Sequence, residues 1–242
     1  MDRKRLWEGK GLKFGILLAF VAFCLGGAVP ELKKGEPLSA GTFLEIVNGS
    51  FSSKSFLFLL PVASVLPFGD AYLQDRQQGF LKFLLVRRGR AEYVRDKVVT
   101  MTAGGAIVWI VAGGLAVLLS FVIFFPMESR GAFGWAVVGK LLLLLLRTCL
   151  VGSILANISG LLSAVTGSYY MAFGLPFVIY YLLIILYERY LPWVYVIDPA
   201  GWLSGKGSWG AGGLGLYLFL LLCLCILIAA HGAALEEKLQ EK

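Results

Sequence analysis

The side chains that could carry out chemistry are few in this sequence, and most of them lie in apolar runs. There is one histidine, His231, and there are four cysteines, Cys24, Cys149, Cys223 and Cys225. A zinc site needs about four ligands at close spacing, and the C-x-C pair has no second pair of Cys or His nearby. A membrane metalloprotease would likewise need paired His and acidic ligands. The sequence therefore predicts no metal site, no cofactor bound by this chain and no enzyme activity.

Three polar side chains interrupt the apolar runs, and two of them, Arg147 and Asn157, are candidates for a transport path. Lys140 and Arg147 are seven residues apart and therefore lie on one face of a helix. Because a charge at membrane depth is costly, Arg147 is predicted to line a substrate path or to pair with a carboxylate. The alternative is that both side chains reach back to the lipid headgroups. Asn157 is a second candidate for the path, and its alternative role is to bridge helices.

One segment imitates a phosphate-binding loop. Residues 201–208, GWLSGKGS, have one residue too few between the first two glycines, and they fall in a predicted outer loop. The sequence therefore predicts no phosphate-binding loop in this chain.

Composition places these residues in a membrane protein. Of the 242 residues, 58% are hydrophobic and only 15% are charged, compared with about a quarter in soluble domains. A bilayer core about 30 Å thick is crossed by about 20 apolar residues in a helix. Six such stretches occur, at residues 12–29, 55–74, 98–125, 136–163, 168–187 and 213–231. We therefore predict an all-α polytopic membrane protein in which residues 1–242 form a single transmembrane domain of six helices.

The distribution of positive charge predicts the orientation of the spans. With the N-terminus inside, the cytoplasmic segments carry 14 Lys and Arg side chains and the outer segments carry six. Since Lys and Arg accumulate in cytoplasmic loops, both termini are predicted to be cytoplasmic. The net charge of +7 has the same explanation and does not indicate a nucleic-acid partner.

The outer loops are predicted at residues 30–54, 126–135 and 188–212. The first loop is polar and is expected to hold a short interfacial helix at residues 42–47. The last loop carries three tryptophans, which the headgroup region of a membrane favours. The connection between the fourth and fifth spans, at residues 164–167, is very short, so these spans either form a close hairpin or are divided at the wrong residue.

The one long cytoplasmic segment, residues 75–97, is amphipathic. Phe80, Phe83 and Leu84 share one helical face, and charged residues cluster at both ends of the segment. One interpretation is a basic helix that lies on anionic lipid. The other is a docking helix that inserts its apolar side chains into a soluble partner and transmits force to the spans on either side.

Residues in and around this segment resemble the permeases of type-2 ABC transporters. The resemblance lies in Pro67-Phe68-Gly69-Asp70 at the end of the second span, in Asp75-Arg76-Gln77-Gln78-Gly79-Phe80, and in a basic stretch that enters the third span. In that family, the segment after the second span is the amphipathic coupling helix that docks on the ATPase. The resemblance implies this role for Asp75, Arg76, Gly79, Phe80, Phe83, Leu84, Arg87 and Arg88.

The resemblance also implies partners. Two permeases, this chain with a second copy or a paralogue, would form the substrate path and bind soluble ABC ATPase subunits that hold ATP and magnesium. The chain would then be the permease of an exporter, embedded in the lipid bilayer of a bacterial cell membrane. Two alternatives stay open: a non-transporting membrane anchor or immunity protein, and a secondary transporter. The latter would have acidic coupling sites near mid-membrane and two related halves, and neither is visible in the sequence.

Overall fold

The structure of the chain is a computed structural model. It describes residues 2–29, 40–79, 81, 85–86, 89–128, 134–205, 207–210 and 213–240, with side chains from residue 5 onward. Every regular element in these ranges is helical, and ten of the elements are α-helices. The all-α fold class predicted from the sequence is thereby confirmed for the described part of the chain.

Five helices in the described ranges are long and apolar enough to cross a membrane. They are α2 (Lys10–Phe23), which continues as a π-helix over Cys24–Ala28, α6 (Arg90–Phe124), α7 (Trp135–Thr166), α8 (Tyr169–Arg189) and α10 (Leu214–Gln240). The shorter helices are α1 (Asp2–Glu8), α3 (Thr42–Ser50), α4 (Lys54–Val65), α5 (Ala71–Gln77) and α9 (Pro199–Ser204). Outward side chains such as Leu118, Leu182 and Leu218 are more than half exposed, as lipid-facing residues are. These helices indicate a membrane-embedded protein.

The structure differs from the sequence prediction at the second span. The prediction was one helix over residues 55–74, whereas the structure has α4, a series of turns over residues 66–70, and then α5. Pro67 lies in these turns, and a proline has no N–H with which to continue a helix. The 12 residues of α4 are about 18 Å long, which is too short for a bilayer core of about 30 Å. The described chain has six spans only if α3 and α4, which form a pair bent by 66°, are counted as one.

The boundaries of the fourth and fifth spans lie close to the predicted ones, whereas α6 begins at Arg90 rather than near residue 98. The fourth and fifth spans form a close hairpin, because α7 ends at Thr166 and α8 begins at Tyr169. Gly167 between them has a φ of 66°, which glycine adopts readily at the end of a helix. The interfacial helix predicted at residues 42–47 is α3. The structure adds α1 and α9, which were not predicted, and extends α10 well beyond residue 231.

The centre of the bundle is the crossing of α6 and α7. The two backbones approach so closely that a Cβ atom on Gly105 would lie 2.6 Å from the carbonyl oxygen of Gly152. Beside the crossing, the buried indole of Trp109 donates a hydrogen bond to the Ser64 hydroxyl of α4 at 2.9 Å. Ser64 donates in turn to the carbonyl of Leu60 at 2.7 Å. Small residues therefore allow the close packing that membrane helices rely on, and Trp109 ties α4 to the crossing.

Both ends of the described chain lie at the same end of the bundle. At the N-terminus, Arg5 of α1 pairs with Asp75, which also accepts a hydrogen bond from Tyr93 of α6. At the C-terminus, Leu235 and Leu239 of α10 belong to one buried cluster with Tyr93, in the first turn of α6. This arrangement fits an even number of spans. The side of the membrane on which this end lies stays a prediction.

The opposite end of the bundle is organised around Glu128. Its carboxylate accepts hydrogen bonds from the backbone N–H groups of Gly41 at 2.9 Å and Phe43 at 2.6 Å. These groups belong to the N-terminus of α3, where the first N–H groups have no partner within the helix. The Phe43 ring also packs against Phe121 and Phe125. The short helix α3 is thereby fixed to the far end of α6.

Candidate functional site

A buried charge cluster joins the N-terminal helix to the predicted coupling segment. The Asp75 carboxylate of α5 accepts a hydrogen bond from Arg5 Nη1 of α1 at 2.7 Å, and it pairs with Lys97 Nζ of α6 at 2.7 Å. The hydroxyl of Tyr93 donates to the same carboxylate at 3.0 Å. The side chains of Asp75 and Lys97 are 1% and 3% exposed, whereas that of Arg5 is 33% exposed. We call these four residues the Asp75 junction.

The geometry of α6 positions two members of the junction. Tyr93 and Lys97 are four residues apart and therefore lie on one face of the helix. The Lys97 ammonium lies 5.0 Å from the centre of the Phe68 ring and 5.5 Å from that of Tyr93, at distances typical of cation–π contacts. It also donates a hydrogen bond to the carbonyl of Ala71 at 3.5 Å. The first turns of α6 are thereby fixed to α5 and to the turns that precede it.

The charges of the junction keep Asp75 ionised. Burial by itself raises the pKa of this carboxyl, but the Lys97 ammonium and the Arg5 guanidinium outweigh burial, and the pKa lies below its ordinary value of 3.8. Removing one member of a buried ion pair leaves an uncompensated charge, which is strongly destabilising. The junction is therefore a firm connection between α1, α5 and α6.

The predicted coupling residues that follow Asp75 lie in different surroundings. Arg76 is exposed and lies beside Gly167, at the hairpin between α7 and α8. The next residue, Gln77, accepts a hydrogen bond from the Tyr169 hydroxyl at 3.0 Å, so the end of α5 approaches the same hairpin. Gly79 has a φ of 72°, a left-handed conformation that suits glycine, and it follows the end of α5. The other predicted coupling residues lie outside the described residues: Phe80, Phe83, Leu84, Arg87 and Arg88.

The described positions of the coupling segment have two different environments. Leu81 is 3% exposed and belongs to the buried cluster that contains Tyr93 and Leu235. Val86 is 90% exposed. The segment is therefore anchored to the bundle at Leu81 and presents an apolar side chain to its surroundings at Val86.

Asn157 lies in a second buried polar cluster, between three spanning helices. Its Nδ2 donates to the Thr102 hydroxyl of α6 and to the Ser153 carbonyl, both at 2.9 Å. Its Oδ1 lies 3.2 Å from Nδ1 of His231 on α10. Asn157 and His231 are both buried, so these contacts connect α6, α7 and α10. They support the helix-bridging role of Asn157, and its role in a substrate path stays a prediction.

Arg147 ties α7 to α10 and to the loop that contains α9. Its Nε donates to the Tyr217 hydroxyl at 3.0 Å, and its Nη1 donates to the Leu203 carbonyl at 3.3 Å. The guanidinium also lies over the Tyr217 ring, 5.3 Å from its centre. Gly205, with a φ of 69°, ends α9 so close to the guanidinium that a Cβ atom there would collide with it. In the described part of the chain, the partners of Arg147 are thus a hydroxyl and a carbonyl rather than a carboxylate.

We expect Arg147→Gln to loosen the loop around α9. The variant loses the charged hydrogen bond to Leu203 and the ring contact with Tyr217, and a charged hydrogen bond contributes about 1.5–3 kcal/mol. Hydrogen exchange in detergent should therefore be about tenfold or more faster for the amides of residues 199–205. Lys54→Gln, which changes an exposed lysine at the same end, should leave this exchange unchanged. Equal exchange in Arg147→Gln and the wild type would contradict the anchoring role.

Comparisons with known proteins do not assign the chain to a family. No protein-family model matches the sequence, and no curated protein matches it. Among the described residues, no group of three or more His, Cys, Asp or Glu side chains is placed to hold a metal ion.

Most of the contacts at the two buried polar clusters could not be read from the sequence. The spacing of Tyr93 and Lys97 was a signal, because it places both side chains on one face of a helix. Arg5 is 70 residues from Asp75 and gives no local signal of their pairing. From the sequence, His231 is considered only as a metal ligand, whereas in the structure its ring lies beside the side-chain amide of Asn157.

Proposed function

We propose that the chain is the permease subunit of an ATP-driven exporter of the type-2 ABC kind. In this proposal, it forms a substrate path with a second copy of itself or a paralogue, and separate ATPase subunits dock on residues 75–97. Those subunits bind ATP and magnesium. Both termini lie in the cytoplasm of a bacterial cell, on the side of the Asp75 junction. The substrate is hydrophobic or amphipathic.

The Asp75 junction is the observation that carries this proposal. The connection between α5 and α6, residues 78–89, is the proposed docking loop. Gly79 and Gly89 lie near its two ends, with φ angles of 72° and 74°. The loop follows α5, which contains Asp75, and it ends where α6 begins. Asp75 is itself paired with Lys97 of α6. A displacement of the loop therefore moves α5 and α6 together. Coupling to a motor protein requires such a connection.

The length of α6 suits the transmission of this movement. Its 35 residues are about 52 Å long at 1.5 Å per residue, whereas the hydrocarbon core is about 30 Å thick. One end of α6 carries Tyr93 and Lys97 of the junction. Its other end is followed by Glu128, which caps α3. A single helix therefore connects the proposed docking loop to the opposite face of the bundle.

Val86 is the described loop residue best placed to contact a soluble partner. Its side chain is 90% exposed, and burying apolar surface contributes about 25 cal/mol per Å². Leu81 holds the same loop to the bundle. A partner that covers Val86 would therefore bind a loop that is already anchored.

Co-purification tests the proposal. The full-length chain is isolated from its native membranes in mild detergent, and the bound proteins are identified by mass spectrometry and by ATP hydrolysis. We expect a soluble ATPase with a Walker motif to co-purify with the wild type. Val86→Asp should reduce the recovered ATPase about tenfold or more, because it buries an unpaired charge in the interface. Since Val86 is exposed, this change should leave the fold intact.

Gln240→Asp is the matched control for charge. Gln240 is exposed at the same end of the bundle but belongs to α10, and this variant should retain the wild-type amount of ATPase. Absence of an ATPase from the wild-type sample would overturn the proposal. It would favour a stand-alone membrane protein, such as an anchor or immunity protein, whose basic loop lies on lipid. Full recovery of ATPase with Val86→Asp would show that the docking site is elsewhere.

A further inference from the structure

A cavity of about 670 Å³ lies at the end of the bundle opposite the Asp75 junction. Its volume is in the range of small-molecule sites, about 300–1,000 Å³. One wall is the face of α3 that carries Glu45 and Asn48, which are three residues apart. The other wall is the first part of α7, where Val137, Lys140 and Leu144 follow one another at helical spacing. The cavity is therefore a cleft between two helices with both polar and apolar lining.

Glu45 and Lys140 bring opposite charges to this cleft without pairing. Both side chains are exposed, and neither forms an ion pair with any residue that the structure describes. One charge lies on α3 and the other lies on α7. Such an arrangement suits a ligand that carries an anion and a cation of its own, because each charge of the ligand finds an opposite charge on one wall.

Asn48 adds an unsatisfied acceptor to the wall formed by α3. The residue is 7% exposed, and its Nδ2 donates to the carbonyl of Val137 across the cleft at 3.3 Å. Its Oδ1 is buried and accepts no hydrogen bond within the described residues. A buried acceptor without a donor is costly. Because this oxygen is covered by the surrounding side chains, a ligand with N–H groups supplies the missing donor only when it inserts between the two helices.

We propose that this cleft binds the headgroup of an aminophospholipid, with the ammonium at Glu45 and Asn48 and the phosphate at Lys140. A primary ammonium has three N–H donors, whereas the quaternary ammonium of choline has none. Choline is held by aromatic ring faces, and no aromatic side chain is among the described residues that line this cleft. An anionic headgroup without an ammonium would be repelled by the negative charge of Glu45.

The surroundings of the cleft favour a lipid over a soluble zwitterion. Val137 and Leu144 form apolar lining beside the two charges. Further along the spanning helix α7, the side chains of Leu142, Leu143 and Leu146 are 60%, 49% and 50% exposed. In a membrane, these leucines would contact acyl chains while the headgroup occupies the cleft. The site does not depend on the proposed transport function. It rests on that proposal only for the orientation in the membrane, which places the cleft at the outer leaflet.

Native mass spectrometry of the purified chain tests this site. The delipidated full-length protein is titrated separately with the dioleoyl forms of phosphatidylethanolamine, phosphatidylcholine and phosphatidylglycerol. We expect phosphatidylethanolamine to bind about tenfold or more tightly than the other two lipids, as charged hydrogen bonds predict. No ATPase is present, so the result is independent of the co-purification experiment. Equal binding of the three lipids, or tighter binding of either of the others, would overturn the proposal.

Two variants assign the binding to the cleft. Glu45→Gln and Lys140→Gln should each weaken the binding of phosphatidylethanolamine about tenfold, and Glu45→Gln should also reduce the discrimination against phosphatidylglycerol. Glu8→Gln and Lys54→Gln remove the same charges from exposed positions outside the cleft and should bind as the wild type does. Unchanged binding in either cleft variant would overturn the proposal, because the headgroup would then not bridge both charges. Melting temperatures of all four variants verify that they are folded.

Discussion

We expect Asp75→Ala to lower the free energy of unfolding by about 3–5 kcal/mol. The variant leaves the Lys97 ammonium, which is 3% exposed, without the carboxylate that pairs with it. It also removes the acceptor of the Tyr93 hydroxyl. A buried ammonium cannot recover its hydration in the folded state, so the loss destabilises the folded protein. Unfolding by sodium dodecyl sulfate in mixed micelles, followed by circular dichroism, gives the free energy.

Two further variants separate the ion pair from the rest of the site. Asp75→Ala combined with Lys97→Met should recover much of the loss, because replacing both members of a buried pair by apolar groups is often nearly neutral. Asp70 directly precedes α5, and its half-buried carboxylate accepts a hydrogen bond from the Gln74 side chain. Asp70→Ala removes this carboxylate. That change should cost less than about 1 kcal/mol. If Asp75→Ala cost no more than Asp70→Ala, the junction would not be buried and paired as the structure has it.

The pH dependence of stability gives a second measure of the junction. The pKa of Asp75 is lower in the folded chain than its ordinary value of 3.8. The carboxylate therefore contributes stability that is present above about pH 4 and is lost as the pH falls through the folded pKa. We expect the wild type to lose stability on acidification below pH 4. Asp75→Ala should lose less over the same range, since it has no carboxylate to protonate.

The spanning helices could be predicted because the membrane imposes their length. The fourth and fifth spans were predicted at residues 136–163 and 168–187, and α7 and α8 cover Trp135–Thr166 and Tyr169–Arg189. A run of apolar residues is sufficient information where lipid surrounds a helix. The early end of α4 at Val65 was not predicted in this way, because the apolar run continues through the turns at residues 66–70. Where a helix breaks depends on caps and turns more than on hydropathy.

The site was predictable only where its residues are close in sequence. The coupling segment was predicted from its charges and aromatic residues, and its role stays a prediction. The pairing of Arg5 with Asp75 connects residues 70 apart. Arg147 was predicted to need a partner because a charge is costly in the membrane. One partner is the backbone carbonyl of Leu203, which a residue of any type could provide. A sequence shows which charges need partners. Which partner is reached depends on how the helices and loops pack.

Gly152→Leu should prevent the assembly of the bundle. A Cβ atom at this position would lie 2.7 Å from the carbonyl oxygen of Gly105 and 2.8 Å from the Trp109 ring. The carbonyl belongs to the backbone of α6, and the buried ring is held by its hydrogen bond to Ser64. Overpacking a core costs about 1–3 kcal/mol, and more where the neighbours cannot move. We therefore expect a loss of at least about 3 kcal/mol and no folded peak in size-exclusion chromatography.

Gly139→Leu is the matched control, because it makes the same change in the same helix. A Cβ atom on Gly139 would have nothing within 4 Å, so leucine fits there without a collision. The higher helix propensity of leucine stabilises the variant by up to about 1 kcal/mol. Gly152→Ala should fall between the two leucine variants, with a loss of about 1–3 kcal/mol. Opposite signs for Gly152→Leu and Gly139→Leu would locate the cost at the crossing. Equal stabilities would mean that α6 and α7 do not approach this closely.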